Sequence, residues 1–290
     1  MLKGIILRGY SSFYYVLADE KEYECSLRGK YRLKKQDFLP GDNVLISLVG
    51  NDKGVIEEVL PRKSRLIRPP IANVDQAVIV MAVKNPSPDL QLLDRLLLIA
   101  EYEGITPLIC FNKVDLDQKI GEELGLLYQK IGYKVILTST KLSLGISELR
   151  EELKNHISVF AGLSGVGKSS LLNLVQPGLA LKTGEVGVKS QRGRHTTRYT
   201  SLLPLVGGGL VADSPGFSKL YLPELKREEL CHYFPEFAEY AQYCRFSTCL
   251  HHKEPDCGVK NALENKLIDR RRYEHYLIFL AEVIAKERSY

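Results

Sequence analysis

Three short motifs occur in an order that narrows the folds open to this chain: NKVD at 112–115, then GLSGVGKS at 162–169, then DSPG at 213–216. The central one lies between the apolar run ISVFA and the helical start SSLLNLV, so it reads as a strand-to-helix loop built to wrap phosphate. In the ordinary arrangement of such sites that loop comes first and the NKVD box last. The inverted order implies a nucleotide site cut and rejoined at a different loop. The chain leaving 213–216 then runs directly into whatever follows.

Each motif carries its own chemistry. In GLSGVGKS, the glycines Gly162, Gly165 and Gly167, with Leu163, Ser164 and Val166 between them, let backbone N–H groups surround the phosphates. Lys168 is placed to reach the β and γ phosphates, the Ser169 hydroxyl to coordinate Mg²⁺, and Ser170 to extend the cradle into the helix. A loop of this kind leaves ATP and GTP open, and NKVD decides between them. Asp115 can accept from N1–H and the exocyclic amine of guanine, which adenine does not offer; Asn112 helps orient the base and Lys113 can cover its ring. Such a site discriminates strongly because the wrong base leaves buried polar groups unpaired. On its own NKVD is a weak signal, since an exposed Asn-Lys turn reads the same way; beside the phosphate loop it is a strong one. Ser139, in the triplet 138–140 after the next strand, is placed to close over the base edge through backbone N–H groups.

DSPG follows the apolar run 209–212, which puts Asp213 at a strand end to hold a Mg²⁺ water and Gly216 N–H where a γ phosphate would sit. The segment GRHTTR at 193–198 offers Thr196 and Thr197, and Thr197 is the favoured second Mg²⁺ hydroxyl. Ras-like enzymes carry a water-orienting Gln directly after the switch glycine. Here Phe217 stands there, and a phenyl ring cannot orient water. His195 is the nearest candidate for that task, with a phosphate-facing or partner-facing role as its alternative. Gly165 occupies the place where potassium-activated GTPases have Asn, so that route has no support.

Six cysteines divide unevenly: Cys25, Cys110 and Cys231 stand apart, whereas Cys244, Cys249 and Cys257 cluster around His251. The spacing C-x₄-C-x-H-x₅-C does not resemble a disulfide framework. It suits one structural Zn²⁺ with a closed tetrahedral shell, His252 being the alternative imidazole. The metal is expected to fix a short helical segment too small to fold alone.

The chain has 290 residues, 44% of them hydrophobic and 26% charged, enough for about two domains on length alone. No apolar run approaches a membrane span and the amino terminus lacks a signal peptide, so a cytoplasmic protein with no membrane partner is expected. The net charge of +5 is modest but clustered, at Arg28, Lys30, Arg32, Lys34 and Lys35, again at Lys182, Lys189, Arg192, Arg194 and Arg198, and at 270–272. Such patches suit a phosphate-rich partner, the alternative being a solvated face.

Short strands at 5–7, 14–17, 44–48 and 55–60 with turn signals between them predict a small barrel over residues 1–66, a five-stranded oligonucleotide-binding (OB) barrel being the favoured form. Its basic loop at 28–35 and Tyr10, Tyr14, Tyr23 and Tyr31 offer charge and stacking surface, although a Tyr in a small barrel is more often core. Buried-strand runs then alternate with helices at 90–102, 118–131 and 146–153, an α/β unit with a mainly parallel sheet over 67–222. Residues 223–290 are helical around the cysteine cluster, with Leu267, Ile268, Tyr276, Leu277, Leu280 and Ile284 as expected packing positions.

The permuted motifs, GRHTTR, DSPGF and C-x₄-C-x-H-x₅-C together resemble the ribosome small subunit-dependent GTPase A family, also called RsgA or YjeQ, along essentially the whole chain. The resemblance implies an amino-terminal OB barrel, a circularly permuted P-loop GTPase and a zinc-bearing helical domain. It implies GTP and GDP with Mg²⁺ as ligands. It also implies binding to the small (30S) ribosomal subunit and its 16S rRNA, a part in late subunit maturation, and GTP hydrolysis stimulated by the subunit. A monomer is expected. Ser214 stands where many members have Thr, a minor departure because Asp213 and Gly216 flank it.

Overall fold

The computed structural model describes residues 1–290 apart from 11, 30–36, 68, 178–199, 213–220 and 289–290. Strands β1 (Leu2–Tyr10), β2 (Phe13–Ala18), β3 (Lys21–Leu27), β4 (Asn43–Leu48) and β5 (Lys53–Val59) close into a barrel in the order β1-β2-β3-β5-β4, and β4 pairs back onto β1. All pairs are antiparallel except β3 with β5. Ile6, Val16, Tyr23, Cys25, Val44, Ile46 and Ile56 fill the interior. The expected barrel is present. Its third strand, KEYECSL, has no apolar run to announce it; Tyr23 and Cys25 point inward while Glu22 and Glu24 stay outside, the period-2 alternation of a half-buried strand. Tyr23 is therefore core, Tyr10 is exposed, and Tyr31 lies outside the described residues.

A bulge in β1 between Ile6 and Arg8 lets two successive side chains be fully buried in different places. Ile6 enters the barrel and Leu7 joins the core of the central unit. The junction is secured by Asp42, fully buried, which accepts from Arg62 Nε at 2.6 Å and Nη2 at 2.8 Å. A hairpin of β6 (Arg65–Ile67) and β7 (Pro70–Ala72) follows, which the sequence reading did not anticipate.

The central sheet contains β8 (Gln76–Ala82), β9 (Thr106–Asn112), β10 (Lys134–Thr138), β11 (Ile157–Ala161), β12 (Leu202–Pro204) and β13 (Leu210–Ala212), ordered β10-β9-β8-β11-β13-β12. Every pair is parallel except β12 with β13. Helices α1 (Leu90–Tyr102), α2 (Gln118–Ile131), α3 (Ile146–Glu152) and α4 (Lys168–Val175) accompany it, and two separate apolar cores form about the sheet. All seven residues of β8 are buried, as a strand covered on both faces requires. Asp89 caps α1 through Leu92 N–H at 2.9 Å, and Asp117 caps α2 through Ile120 N–H at 3.2 Å.

Beyond the sheet come two 3₁₀ turns (Leu230–Tyr233 and Pro235–Phe237), then α5 (Ala238–Ala241), α6 (Gly258–Glu264) and α7 (Arg270–Glu287). Their core packs Phe234, Phe237, Tyr276 and Phe279 together, and Leu98 of α1 contributes to it. Ile268, Tyr276 and Leu280 pack as expected, but Leu267 is 63% exposed because it falls in the turn between α6 and α7, where helical periodicity does not apply. Of the clustered basic residues, Arg272 departs from expectation. Arg28 pairs with Glu57 at 2.5 Å, Lys30 to Lys35 and the cluster from Lys182 to Arg198 lie outside the described residues, and Arg272 is buried rather than solvated. Among the described residues no helix is long and apolar enough to cross a membrane.

Candidate nucleotide site and metal centre

The loop 162–167 leaves the carboxyl end of β11 and enters α4. Its tight course depends on glycine at two points. Gly162 has φ +131°, and a Cβ there would lie 2.2 Å from Val80 O; Gly167 has φ +102°, and its Cβ would lie 2.3 Å from Asn112 Nδ2. Lys168 Nζ lies inside the curve of the loop, donating to Gly162 O at 2.9 Å and Leu163 O at 2.7 Å. Burial lowers its pKa below that of an ordinary lysine. Val166 is buried and anchors the loop, while Ser164 and Gly165 are exposed and Ser169 and Ser170 are part-buried in the first turn of α4.

Asn112 and Thr138 end the adjacent strands β9 and β10, in register with one another. Asn112 is fully buried: its Nδ2 donates to Val166 O at 2.8 Å and its Oδ1 accepts from Thr138 Oγ1 at 3.1 Å. The residue is thus a strut between two motifs that are 54 positions apart. Lys113, in the left-handed region at φ +63°, donates through Nζ to Gly165 O at 2.7 Å and to Asn85 O. Its ammonium is engaged by the loops, so its methylene stem is what remains to cover a ring. Asp115 Oδ1 accepts from Ser139 Oγ at 2.5 Å. Ser139 N–H is taken by Leu144 O at 3.1 Å, so this residue supports Asp115 through its hydroxyl instead of presenting its own N–H to a base. Thr138, in the triplet expected to close over the base edge, instead bonds Asn112 through its hydroxyl. The Asn85 carbonyl is marked by nothing in a one-dimensional reading, because it contributes by standing next to Lys113 in space.

The structure therefore brings the 112–115 and 162–170 motifs together at the carboxyl edge of a parallel sheet, where ligands of such sheets sit. His195, Thr196, Thr197, Asp213, Gly216 and Phe217 lie outside the described residues.

The second cluster is in the C-terminal unit. Ligand atoms of Cys244, Cys249, His251 and Cys257 all lie within 4.8 Å of one another. Cys244 Sγ is 3.8 Å from Cys257 Sγ, and His251 Nδ1 is 3.5 Å from each of those two sulfurs. A tetrahedron with Zn–S of about 2.3 Å and Zn–N of about 2.05 Å has S···S edges of about 3.8 Å and S···N edges of about 3.6 Å. The donor set fits that metal in chemistry, the three distances among Cys244, His251 and Cys257 match those edges, and Cys249 completes the group within 4.8 Å. His251 is 2% exposed and His252 is exposed outside the cluster, which decides between the two imidazoles. Burial raises the Cys249 thiol to about 12 and also raises Cys257.

Residues 59–223 match the family described as RsgA GTPase, and residues 3–56 match the RsgA N-terminal domain. The chain belongs to the RsgA GTPase family. It is 52% identical to the small ribosomal subunit biogenesis GTPase RsgA of Moorella thermoacetica, over 100% of both chains. The crystal structure of YjeQ from Thermotoga maritima superposes with a TM-score of 0.85 at 40% identity, covering 98% of each chain. That of YloQ, described as a circularly permuted GTPase, gives 0.83 at 38% identity over 99% of this chain and 96% of its own. As a member of the RsgA GTPase family the chain is a GTP-hydrolysing enzyme, and the sheet order above is the permuted fold that the inverted motifs required.

Proposed function

We propose that this chain is a ribosome biogenesis GTPase that binds the small (30S) ribosomal subunit, contacts its 16S rRNA, and acts in its late maturation. Asp115 reads guanine, braced by Ser139; Asn112 and Lys113 hold the reading loop against the phosphate loop. Gly162, Leu163, Ser164, Gly165, Val166, Gly167 and Ser170 wrap the phosphates, Lys168 neutralises them, and Gly216 meets the γ phosphate. Mg²⁺, when bound, neutralises developing phosphate charge; Ser169, Thr197 and Asp213 are the groups assigned to hold it, and His195 is the group assigned to position the attacking water. Zn²⁺ in the Cys244, Cys249, His251 and Cys257 shell fixes the loop 244–257 and takes no part in the chemistry. The working units are 1–66, 67–222 and 223–290, acting as a cytoplasmic monomer.

The observation that carries this reading is the pair of contacts Asn112 Nδ2 to Val166 O at 2.8 Å and Lys113 Nζ to Gly165 O at 2.7 Å, which join a guanine-reading motif to a phosphate loop. The ribosomal part rests on the relatives' names and full-length identity. Purified small subunits are expected to raise GTP turnover strongly. Unchanged turnover would remove the ribosomal assignment, and a Lys168→Ala variant retaining full function and normal release would reduce GTP to a structural ligand.

A further inference from the structure

A buried ion cluster lies where the C-terminal unit meets α1 and α2. Asp94 is 1% exposed in the second turn of α1, in the otherwise mainly apolar run LQLLDRLLLIA. Its Oδ1 accepts from Arg272 Nη1 and from Tyr128 OH, both at 2.7 Å, and its Oδ2 lies 2.6 Å from His275 Nδ1. Arg272, 2% exposed on α7, also donates to both carboxylate oxygens of Glu236, at 2.7 and 2.9 Å, with its guanidinium 4.7 Å from the Phe234 ring centre. Burial alone would lower the Arg272 pKa, but Asp94 and Glu236 more than offset this and hold the guanidinium charged. Removing one member leaves an uncompensated charge inside the protein, so the cluster is either fully engaged or undocked.

Of the two helices forming its GTPase side, α2 starts just after the guanine-reading motif and α1 follows a loop that contacts it. The loop before α1 carries Asn85, whose carbonyl accepts from Lys113, and α2 begins two residues after Asp115 at its cap, Asp117. Asp94 is about 7 Å along α1 and Tyr128 about 16 Å along α2, at 1.5 Å per residue. On the other side, α7 also holds the cysteine loop: Tyr273 OH donates to His251 O at 2.6 Å and Tyr276 OH to Leu250 O at 2.9 Å.

We propose that Arg272 is a positioning residue for the guanine-nucleotide site, acting through Asp94 and Tyr128, so that docking of the C-terminal unit and filling of the 112–115 motif are energetically linked without passing through the switch at 213–216. The link rests on the nucleotide reading given above. It is reciprocal: whatever binds the C-terminal unit changes nucleotide affinity by the factor that nucleotide changes its binding.

The test uses the full-length chain. Amide hydrogen exchange across 270–287 is measured with no nucleotide, with GDP, and with a non-hydrolysable GTP analogue. Either nucleotide is expected to slow exchange about 5-fold or more, the lower end of typical coupling. Arg272→Met and Asp94→Asn should each weaken GDP binding about 5-fold or more and abolish the nucleotide effect on α7, and the double variant should be no weaker than the worse single one. Slowing only with the γ phosphate present would route the signal through 213–216 and overturn the proposal. GDP affinity unchanged in variants with wild-type circular dichroism would overturn it too. If the variants do not fold, the wild-type exchange data decide alone. Failure of the wild-type chain to bind GDP would instead sink the nucleotide reading, and this inference with it.

Discussion

Replacing Asp115 with Asn tests base recognition at a single atom pair. Asp115 Oδ1 is already fixed by Ser139 Oγ at 2.5 Å, so the carboxylate is held in one orientation before any base arrives. An Asn side chain keeps the size and the Ser139 contact through its carbonyl, but turns an acceptor into an amide donor opposite the N1–H and exocyclic amine of guanine. One charge-assisted hydrogen bond at about 1.5–3 kcal/mol is lost and a donor left facing a donor costs about 1–3 kcal/mol more, a total of about 2.5–6 kcal/mol, or about 10²–10⁴-fold in GTP affinity. Xanthine carries a carbonyl where guanine has its amine. The same variant is therefore expected to gain affinity for XDP and XTP while losing it for GDP and GTP, measured by titration of fluorescent nucleotide analogues. Equal weakening of both bases would show that the substitution damaged the loop and did not change its reading. Unchanged GTP affinity would remove Asp115 from the site.

Further outcomes are expected elsewhere. Gly167→Ala places a Cβ 2.3 Å from Asn112 Nδ2 at a left-handed φ of +102°, so it should destabilise the chain by about 1–3 kcal/mol and weaken GDP binding, read by thermal melts and titration. Burial lowers the Lys168 pKa, and bound phosphate would raise it again, so nucleotide binding takes up a proton as pH climbs through the lowered value. GDP affinity should accordingly fall with rising pH on the alkaline side, with the slope absent in Lys168→Met. Chelation of metal should reduce helical circular dichroism and release the 244–257 loop to protease, with Zn²⁺ restoring both; an unchanged digestion pattern would separate the loop's order from metal. Replacing Tyr273 and Tyr276 with Phe removes hydrogen bonds to His251 O and Leu250 O, and should lower the melting free energy by about 1 kcal/mol per bond while metal content stays at one per chain.

Much of the site was legible because its chemistry is carried by local patterns. GLSGVGKS needs glycine where φ is positive, and φ +131° at Gly162, +79° at Gly165 and +102° at Gly167 are conformations other residues rarely adopt. Helices α1 and α2 were read to the residue, since both have apolar periodicity and an Asp cap. Strand β3 was not named because its inward residues alternate with charges, and Leu267 was misplaced because a turn interrupts the helical period. Ser139 was expected to offer its backbone, and only its pairing with Leu144 reveals that the hydroxyl is what it contributes.

Asp94 and Arg272 mark the boundary between the two kinds of information. An acid in the run LQLLDRLLLIA and a base in RRRY are each visible one-dimensionally as oddities, and the second reads as part of a basic patch for a phosphate-rich partner or a solvated face. Motif order, ligand spacing and helical period are properties of neighbouring positions, so the chain written out was enough to establish a permuted nucleotide fold and a Cys₃His shell. Which charges are buried, and against what, depends on residues 178 positions apart meeting across a packed interface. Burial of a charge is tolerated only with a partner at hydrogen-bond distance, and that distance exists only after α1, α2 and α7 have come together.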